Sequence, residues 1–314
     1  RPLHLLPDVL GYASGLDCAR EYSLPNPLDM KAISNYQGVD VNLVYAGIFS
    51  PKGVRQRNIR RLQGLDIKAF HGGHENLISP LKHIETDLAV DSDTIREKAT
   101  AQLEVARELS DAQAPIVVYH GGMADSRDLR ATKKNLEHML KKAEELGLVI
   151  ALENMPIAKE GYYVGCDYRD IQEILSDLRS PNLKVCFDWG HANCAASRFA
   201  QEKDKGDDYA SDFRYHHEII GELGEEIVYA HIHFNWAHLF PEWGDQHLPL
   251  NSISLKDMDG FADTIRALDR DTNVQAANLE LFPHRVFWFY VFYPTHMGRR
   301  DQRESLEILD SIIS

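Results

Sequence analysis

Residues 148–153 read LVIALE, residues 183–188 read LKVCFD and residues 115–120 read PIVVYH. Each is a nearly continuous apolar run of strand length that closes on a polar residue: Glu153, Asp188 and His120. A strand apolar on both faces belongs in a parallel sheet covered by helices on each side. Further out along the chain, similar runs occupy Leu3–Leu6, Val41–Ala46, Ile67–His71, Ile227–His233 and Val274–Leu281. Helical patterns lie between them, clearest at Asp93–Ser110, Ala131–Leu146, Tyr168–Leu178, Asp257–Leu268 and Arg299–Ile313. Ser92 or Asp93 is placed to cap the first of these helices, and Gly147 stops the second. Eight strands, most followed by a helix, predict an α/β fold: a single (β/α)8 TIM barrel with inserted loops, spanning residues 1–314 as one domain. A typical barrel needs about 250 residues. The surplus falls to insertions after His71, at Ala195–Asp212 and around the aromatic run Phe287–Tyr293. An open doubly wound sheet is the lesser candidate, because no G-x-G-x-x-G follows the first strand.

The composition is that of an ordinary globular protein, 44% hydrophobic and 26% charged over 314 residues. Lys plus Arg number 34 against 48 Asp plus Glu, a formal charge of −14. That balance is unsuited to gripping a phosphate backbone and favours a small neutral or metal-chelated substrate over nucleic acid. No apolar run approaches the about 18 residues needed to span a membrane. Cys18, Cys166, Cys186 and Cys194 are scattered, with no C-x-x-C pair, and are read as reduced thiols of a cytoplasmic protein.

The chemistry is read from what ends each strand. His71, His120, Glu153, Asp188, His233 and Glu280 each lie at or near the last residue of a predicted strand. In a parallel barrel those ends open on one face, where the loops build the active site. Acids converging on one mouth repel each other unless a cation neutralises them, so a divalent metal site is expected there. Asp188 and His191 are three apart across the turn leaving strand six. His231 and His233, like Asp245 and His247, alternate across one residue and point the same way in extended chain. Trp189, beside a ligand, is a candidate platform for the apolar face of a sugar. His74 is grouped with the structural and surface histidines.

Taken together, HGG, YHGG, ALENMP, VCFDWGHAN, AHIHFN, GDQHLPL and NLELF resemble the xylose-isomerase-like barrel superfamily, from about Ile67 to Phe282. That group holds sugar isomerases, ketose 3-epimerases, inosose dehydratases and endonuclease IV. For the sugar-handling members the resemblance implies one divalent ion held by Glu153, Asp188, His233 and Glu280. It further implies Glu153 and Glu280 as an acid/base pair and His191 as a substrate contact. The remaining substrate-binding candidates are His71, His120, Trp189, His231, Asp245 and His247. In endonuclease IV, which binds three zinc ions, the extra ligands would fall on His71, His120, His191, Asp245 and His247, and each of those positions is filled here.

A mixed oxygen and nitrogen shell suits Mn, Co or Mg, and a His-richer one suits Zn. The implied activity is a metal-dependent isomerase or epimerase acting through an enediolate on a sugar, polyol or related hydroxy-carbonyl compound. A dehydratase or a multi-zinc phosphodiester hydrolase on the same barrel is the alternative. Homo-oligomers are common in the superfamily and are expected here on that ground.

Overall fold

The computed structural model describes residues 4–7, 39–43, 59–60, 62, 66–75, 85–202, 213–237, 245–280 and 296–313. The strands of its main sheet are β1 (His4–Pro7), β2 (Val39–Asn42), β3 (Ile67–His71), β4 (Ile116–Tyr119), β5 (Val149–Glu153), β6 (Leu183–Asp188), β7 (Ile227–Ile232) and β8 (Ala276–Leu279). All pair in parallel in the order β1-β8-β7-β6-β5-β4-β3-β2, and β1 and β2 approach each other to bring the sheet nearly into a closed TIM barrel. The helices are α1 (Asp93–Leu109), α2 (Arg130–Leu146), α3 (Tyr168–Leu178), α4 (Trp189–Glu202), α5 (Arg214–Leu223), α6 (Leu255–Asp271) and α7 (His296–Ile313). Among the described residues no helix is long and apolar enough to cross a membrane.

Alternation along the strands explains where the chemistry goes. A small buried cluster contains Ala69, Ile116, Val118, Ala151, Cys186, Tyr229 and Ala276, one or two residues from each of six strands. These point into the barrel, because successive strand side chains take opposite faces. Stepping two residues towards the C-terminal end of each row gives His71, His120, Glu153, Asp188, His231 and Asn278. A second step along β7 and β8 gives His233 and Glu280. The opposite set, including Phe70, Val117, Tyr119, Leu152, Phe187 and Ala277, packs outward against the helices. Register aligns the rows laterally: Asp188 pairs with His231, and His231 with Asn278.

The helices answer to local rules. In α2, Leu136, Met139, Leu140 and Ala143 form one buried stripe, and Gly147 closes the helix with φ 66°, a left-handed conformation that costs glycine little. Asp167 accepts the Arg169 N–H at the start of α3, and Ser254 accepts that of Asp257 at the start of α6. The Ser92 side chain makes no such bond at the start of α1; instead Asp91 and Asp93 flank the Arg96 guanidinium.

The sequence expectations need two corrections here. The stretch from Ala195 was assigned to an insertion, yet α4 runs straight off β6 through Glu202, so Asp188 and His191 are joined by helix, not by a turn. Trp189 lies in that first helical turn and is fully buried against Phe213, His216, Phe234 and Phe261, with its Nε1–H donating to Thr264 Oγ1 at 2.8 Å. It docks the outer helices on the barrel and offers no face to a substrate. The aromatic run Phe287–Tyr293 lies outside the described residues.

Candidate metal centre

Glu153, Asp188 and Glu280 close the C-terminal ends of β5, β6 and β8, each less than a tenth exposed. His231 sits among them. Its Nδ1 lies 3.1 Å from Glu153 Oε1, 3.4 Å from Glu280 Oε2 and 3.7 Å from Asp188 Oδ2. One donor atom from each of these four residues lies within 4.8 Å of all the others. His233, expected as the imidazole of this set, stands one step further out, with Nε2 3.1 Å from Asp188 Oδ1 and its ring stacked on His247 at 4.0 Å. His231, expected to touch substrate, is fully buried and faces the carboxylates instead.

Two more groups flank this one. On one side, His71 Nε2 and His120 Nε2 lie 3.4 and 3.5 Å from the same atom, Glu153 Oε2. That oxygen has no hydrogen-bond partner among the described residues. Two nitrogens and an oxygen sharing one tetrahedral ion at about 2.0–2.1 Å would stand roughly 3.4 Å apart, so the spacing fits ligands better than hydrogen bonds. On the other side, His191 Nε2 and His247 Nε2 lie 3.2 and 2.6 Å from Asp245 Oδ2, and with His233 they form a fourfold group. Glu153 belongs to the central and first groups, while Asp188 reaches both the central group and His233.

The backbone prepares these rings. His71 Nδ1 donates to the Gly72 carbonyl at 3.0 Å, His191 Nδ1 to that of Asn154 at 2.9 Å and His247 Nδ1 to that of Glu280 at 3.3 Å. A carbonyl only accepts, so each Nδ1 carries a proton and each Nε2 faces a carboxylate, to which it donates in the metal-free protein and beside which it would offer its lone pair once an ion replaced that proton. His247 holds φ 46°, a left-handed backbone that non-glycine residues seldom adopt and that the surrounding contacts must enforce. Asn154 ties β5 to β6, donating to the Asp188 carbonyl and accepting from the Asp188 N–H. The His191 N–H donates to Asp188 Oδ1 at 2.6 Å, fixing that carboxylate at the start of α4.

Electrostatics give the same picture. Burial disfavours charge on Glu153, His191, His231 and His247, and pairing overrides it at each of them. Glu153 is held well below the ordinary carboxylate range because His231, His191 and His71 outweigh its desolvation. Burial acts to lower His247, but Asp245 and Glu280 raise it to about 9. His191 is pushed well up against its burial by Asp188 and Asp245, and His231 by Cys186, Glu153 and Glu280. Without a cation, protons on these rings balance the acids.

Sequence reasoning passed over Glu75, His74 and Asp40. Glu75 Oε1 lies 3.2 Å from His120 Nδ1, and burial of Glu75 is outweighed by His120, which holds its carboxyl at about 2. His74 joins Glu75 and His120 in a further group of donor atoms. Asp40, on β2, accepts from the Tyr229 hydroxyl at 2.9 Å and lies 3.7 Å from His231 Nε2. The available signals were an acid in the HGGHE run after a strand and a lone acid inside the short strand VDVN.

Gly190 offers a direct test of the outer group. A Cβ at this position would collide with the His233 ring, which Asp188 and His247 hold in place. Gly190→Ala should keep α4, since alanine is the better helix former. It should nonetheless weaken divalent-ion binding on the Asp245 side by at least ~10-fold, read as a lost equivalent in metal titrations. Unchanged titrations would remove His233 from the ion-binding set.

The chain has 30% identity over 115 residues to the uncharacterised protein MJ1311 of Methanocaldococcus jannaschii, a match covering 37% of this chain and only 32% of that protein. Among solved structures, a D-tagatose 3-epimerase-like protein superposes with a TM-score of 0.59 at 18% identity, covering 99% of this chain and 100% of its own. A "probable 3-DHS dehydratase" from Bacillus anthracis superposes at 0.59 with 14% identity, covering 98% of each chain. At such identities these likenesses speak to the fold. The family model for a xylose isomerase-like TIM barrel matches residues 57–312, the part of the chain that carries every strand end from His71 to Glu280. By that match, this chain belongs to the xylose isomerase-like TIM barrel family.

Proposed function

We propose that this barrel is a divalent-metal-dependent isomerase or epimerase for a sugar, polyol or related small hydroxy-carbonyl compound, built as one domain and working in the cytoplasm. The observation that carries the reading is the convergence of Glu153, Asp188, Glu280 and His231 at the mouth of the barrel, with donor atoms within 4.8 Å of one another. Three buried carboxylates at that spacing call for a cation. Glu153, Asp188 and Glu280 would hold it with His231, and His233 stands beside Asp188. When bound, the ion supplies electrophilic stabilisation of negative charge building on the substrate oxygens, for which Mn, Co or Mg suits the oxygen-rich set.

Glu153 and Glu280 stand on separate strands around that point and are assigned as the acid/base pair, one removing the proton beside the carbonyl and the other returning one. His191, with its Nε2 turned towards Asp245, is assigned to orient a substrate hydroxyl. The side chains of Asp245, His120 and Glu280, 19%, 14% and 10% exposed, mark the side from which substrate reaches the buried set. The buried thiols Cys166, Cys186 and Cys194 fit a reducing compartment. Similar structures titled as epimerases and a dehydratase support the substrate class.

A second reading rests on the two flanking His-rich groups. Three contiguous ligand sets, two of them sharing Glu153 and the third touching Asp188 through His233, suit two or three zinc ions and metal-assisted hydrolysis, including that of phosphodiesters. Elemental analysis of protein purified without chelators separates the two, paired with ketose epimerisation and phosphodiesterase assays. Mn, Co or Mg in the central group with ketose turnover is expected, and further ions in the flanking groups are compatible with it. Two or three equivalents of Zn with diester cleavage would establish the second reading, and absence of metal under every loading condition would defeat both.

A further inference from the structure

We infer that Glu75 is the positioning residue for His120: its carboxylate accepts the Nδ1 proton of that ring and fixes the tautomer whose Nε2 lone pair is offered to an ion held with Glu153. The inference rests on the reading that His71, His120 and Glu153 together hold a cation.

The rings around the centre show why His120 needs a partner of its own. His71, His191 and His247 each have Nδ1 anchored by a backbone carbonyl. His120 has Nδ1 3.2 Å from Glu75 Oε1 and Nε2 3.5 Å from Glu153 Oε2, so the imidazole is strung between two carboxylates. To bind an ion, the ring must give the lone pair of one nitrogen and keep the proton on the other. Glu75, as an anion, takes the proton side, and the lone pair then faces the point that His71 Nε2 also faces. An imidazole backed by a carboxylate is also a more basic ligand than one backed by a carbonyl.

The placement of Glu75 is costly in itself. The residue is only 4% exposed, and its Oε2 has no hydrogen-bond partner among the described residues. A buried acid with half its acceptors unused would be destabilising unless its charge served a neighbour. The loop carrying it is pinned to hold that position. The Gly73 N–H donates to Gln102 Oε1 at 2.8 Å, Thr86 Oγ1 donates to the Gly73 carbonyl, and a Cβ on Gly72 would meet the Tyr119 ring. Glu75 therefore reaches His120 from an anchored backbone four residues beyond His71. The same donors could be read as a separate His74–Glu75–His120 cation site. That would require His120 to bind ions through both nitrogens at once, whereas the positioning role uses one nitrogen for each partner.

The test is a Co²⁺ titration of the full chain, followed by metal stoichiometry and visible absorption, on wild type, Glu75→Gln, Glu75→Ala and His120→Ala. Glu75→Gln keeps the volume and an acceptor oxygen but removes the charge. One class of sites should weaken ~10–100-fold in both Glu75 variants, with an altered cobalt spectrum, and His120→Ala should abolish that same class. A purely structural role would lower the melting temperature without selecting one class. Glu75 variants that titrate like wild type would overturn the positioning role, as would loss in them of an equivalent that His120→Ala retains. If His120→Ala itself binds like wild type, the metal reading of that group fails independently of Glu75.

Discussion

Replacing Glu153 with glutamine should strip the central and first flanking ion groups together and lower turnover by at least ~10³-fold, within the range expected for losing an acid/base group along with its electrostatic partner. Among the described residues no other side chain belongs to both the central and the first flanking group. Glu153 Oε1 lies 3.1 Å from His231 and 3.2 Å from His191, while Oε2 faces His71 and His120. Glutamine has the same shape, so the barrel should still fold, but an amide offers one acceptor where the carboxylate offers two. Its NH2 would be turned on a ring nitrogen that needs an anion or a metal. The Asp245 group does not include Glu153 and should keep its ion. Metal analysis of the purified variant would then show a partial loss, and a ketose epimerisation assay the kinetic one. Activity within tenfold of wild type at full metal content would remove Glu153 from both the chemistry and the ligand set.

The strand ends were legible because their signal is local and repeated. β3 and β6 carry the bounds read from sequence, and the apolar runs of β4 and β5 shift by a residue. What the sequence left undecided was depth. In HIHF both histidines fall on the inner face at period two, and nothing local says which one is level with the acids. The register does: His231 pairs with Asp188 inside the sheet, while His233 lies beyond the last strand residue, Ile232.

Trp189 misled for a related reason. It is adjacent to Asp188 in sequence, but the change from strand to helix at that bond turns its side chain into the outer core. Gly190, His191 and Asn193 are poor helix formers and hid the helix, and the glycine is there because the His233 ring leaves no room for a Cβ. Glu75 and Asp40 were overlooked because each stands alone in its own segment. Their partners, His120 and His231, come from strands 45 and about 190 residues away, and only the closed sheet brings them together.

A saturating divalent ion should raise the melting temperature much more at pH 8.5 than at pH 6. In the metal-free protein the acids are balanced by protons on histidines whose affinity for them rises on folding. A raised histidine contributes its full stabilisation below the unfolded value, near 6.5, and loses it as pH climbs through the folded value. For His247, held at about 9 by Asp245 and Glu280 against its burial, that is on the order of 3 kcal/mol lost between those limits. His191 and His231 are likewise pushed well up against their burial, the first by Asp188 and Asp245, the second by Cys186, Glu153 and Glu280. The acids run the opposite way. Glu153, Asp188 and Asp245 are lowered, so their contribution stays in place above the unfolded carboxylate range and fails only in acid. An ion replaces the ring protons and binds the neutral imidazoles, so its affinity grows over the same interval in which the metal-free protein weakens. Melting curves with chelator and with Co²⁺ at pH 6, 7 and 8.5 should therefore diverge as pH rises. A gap that stays constant or narrows would mean that the rings are neutral without metal, and that the buried carboxylates are balanced by something other than the histidines around them.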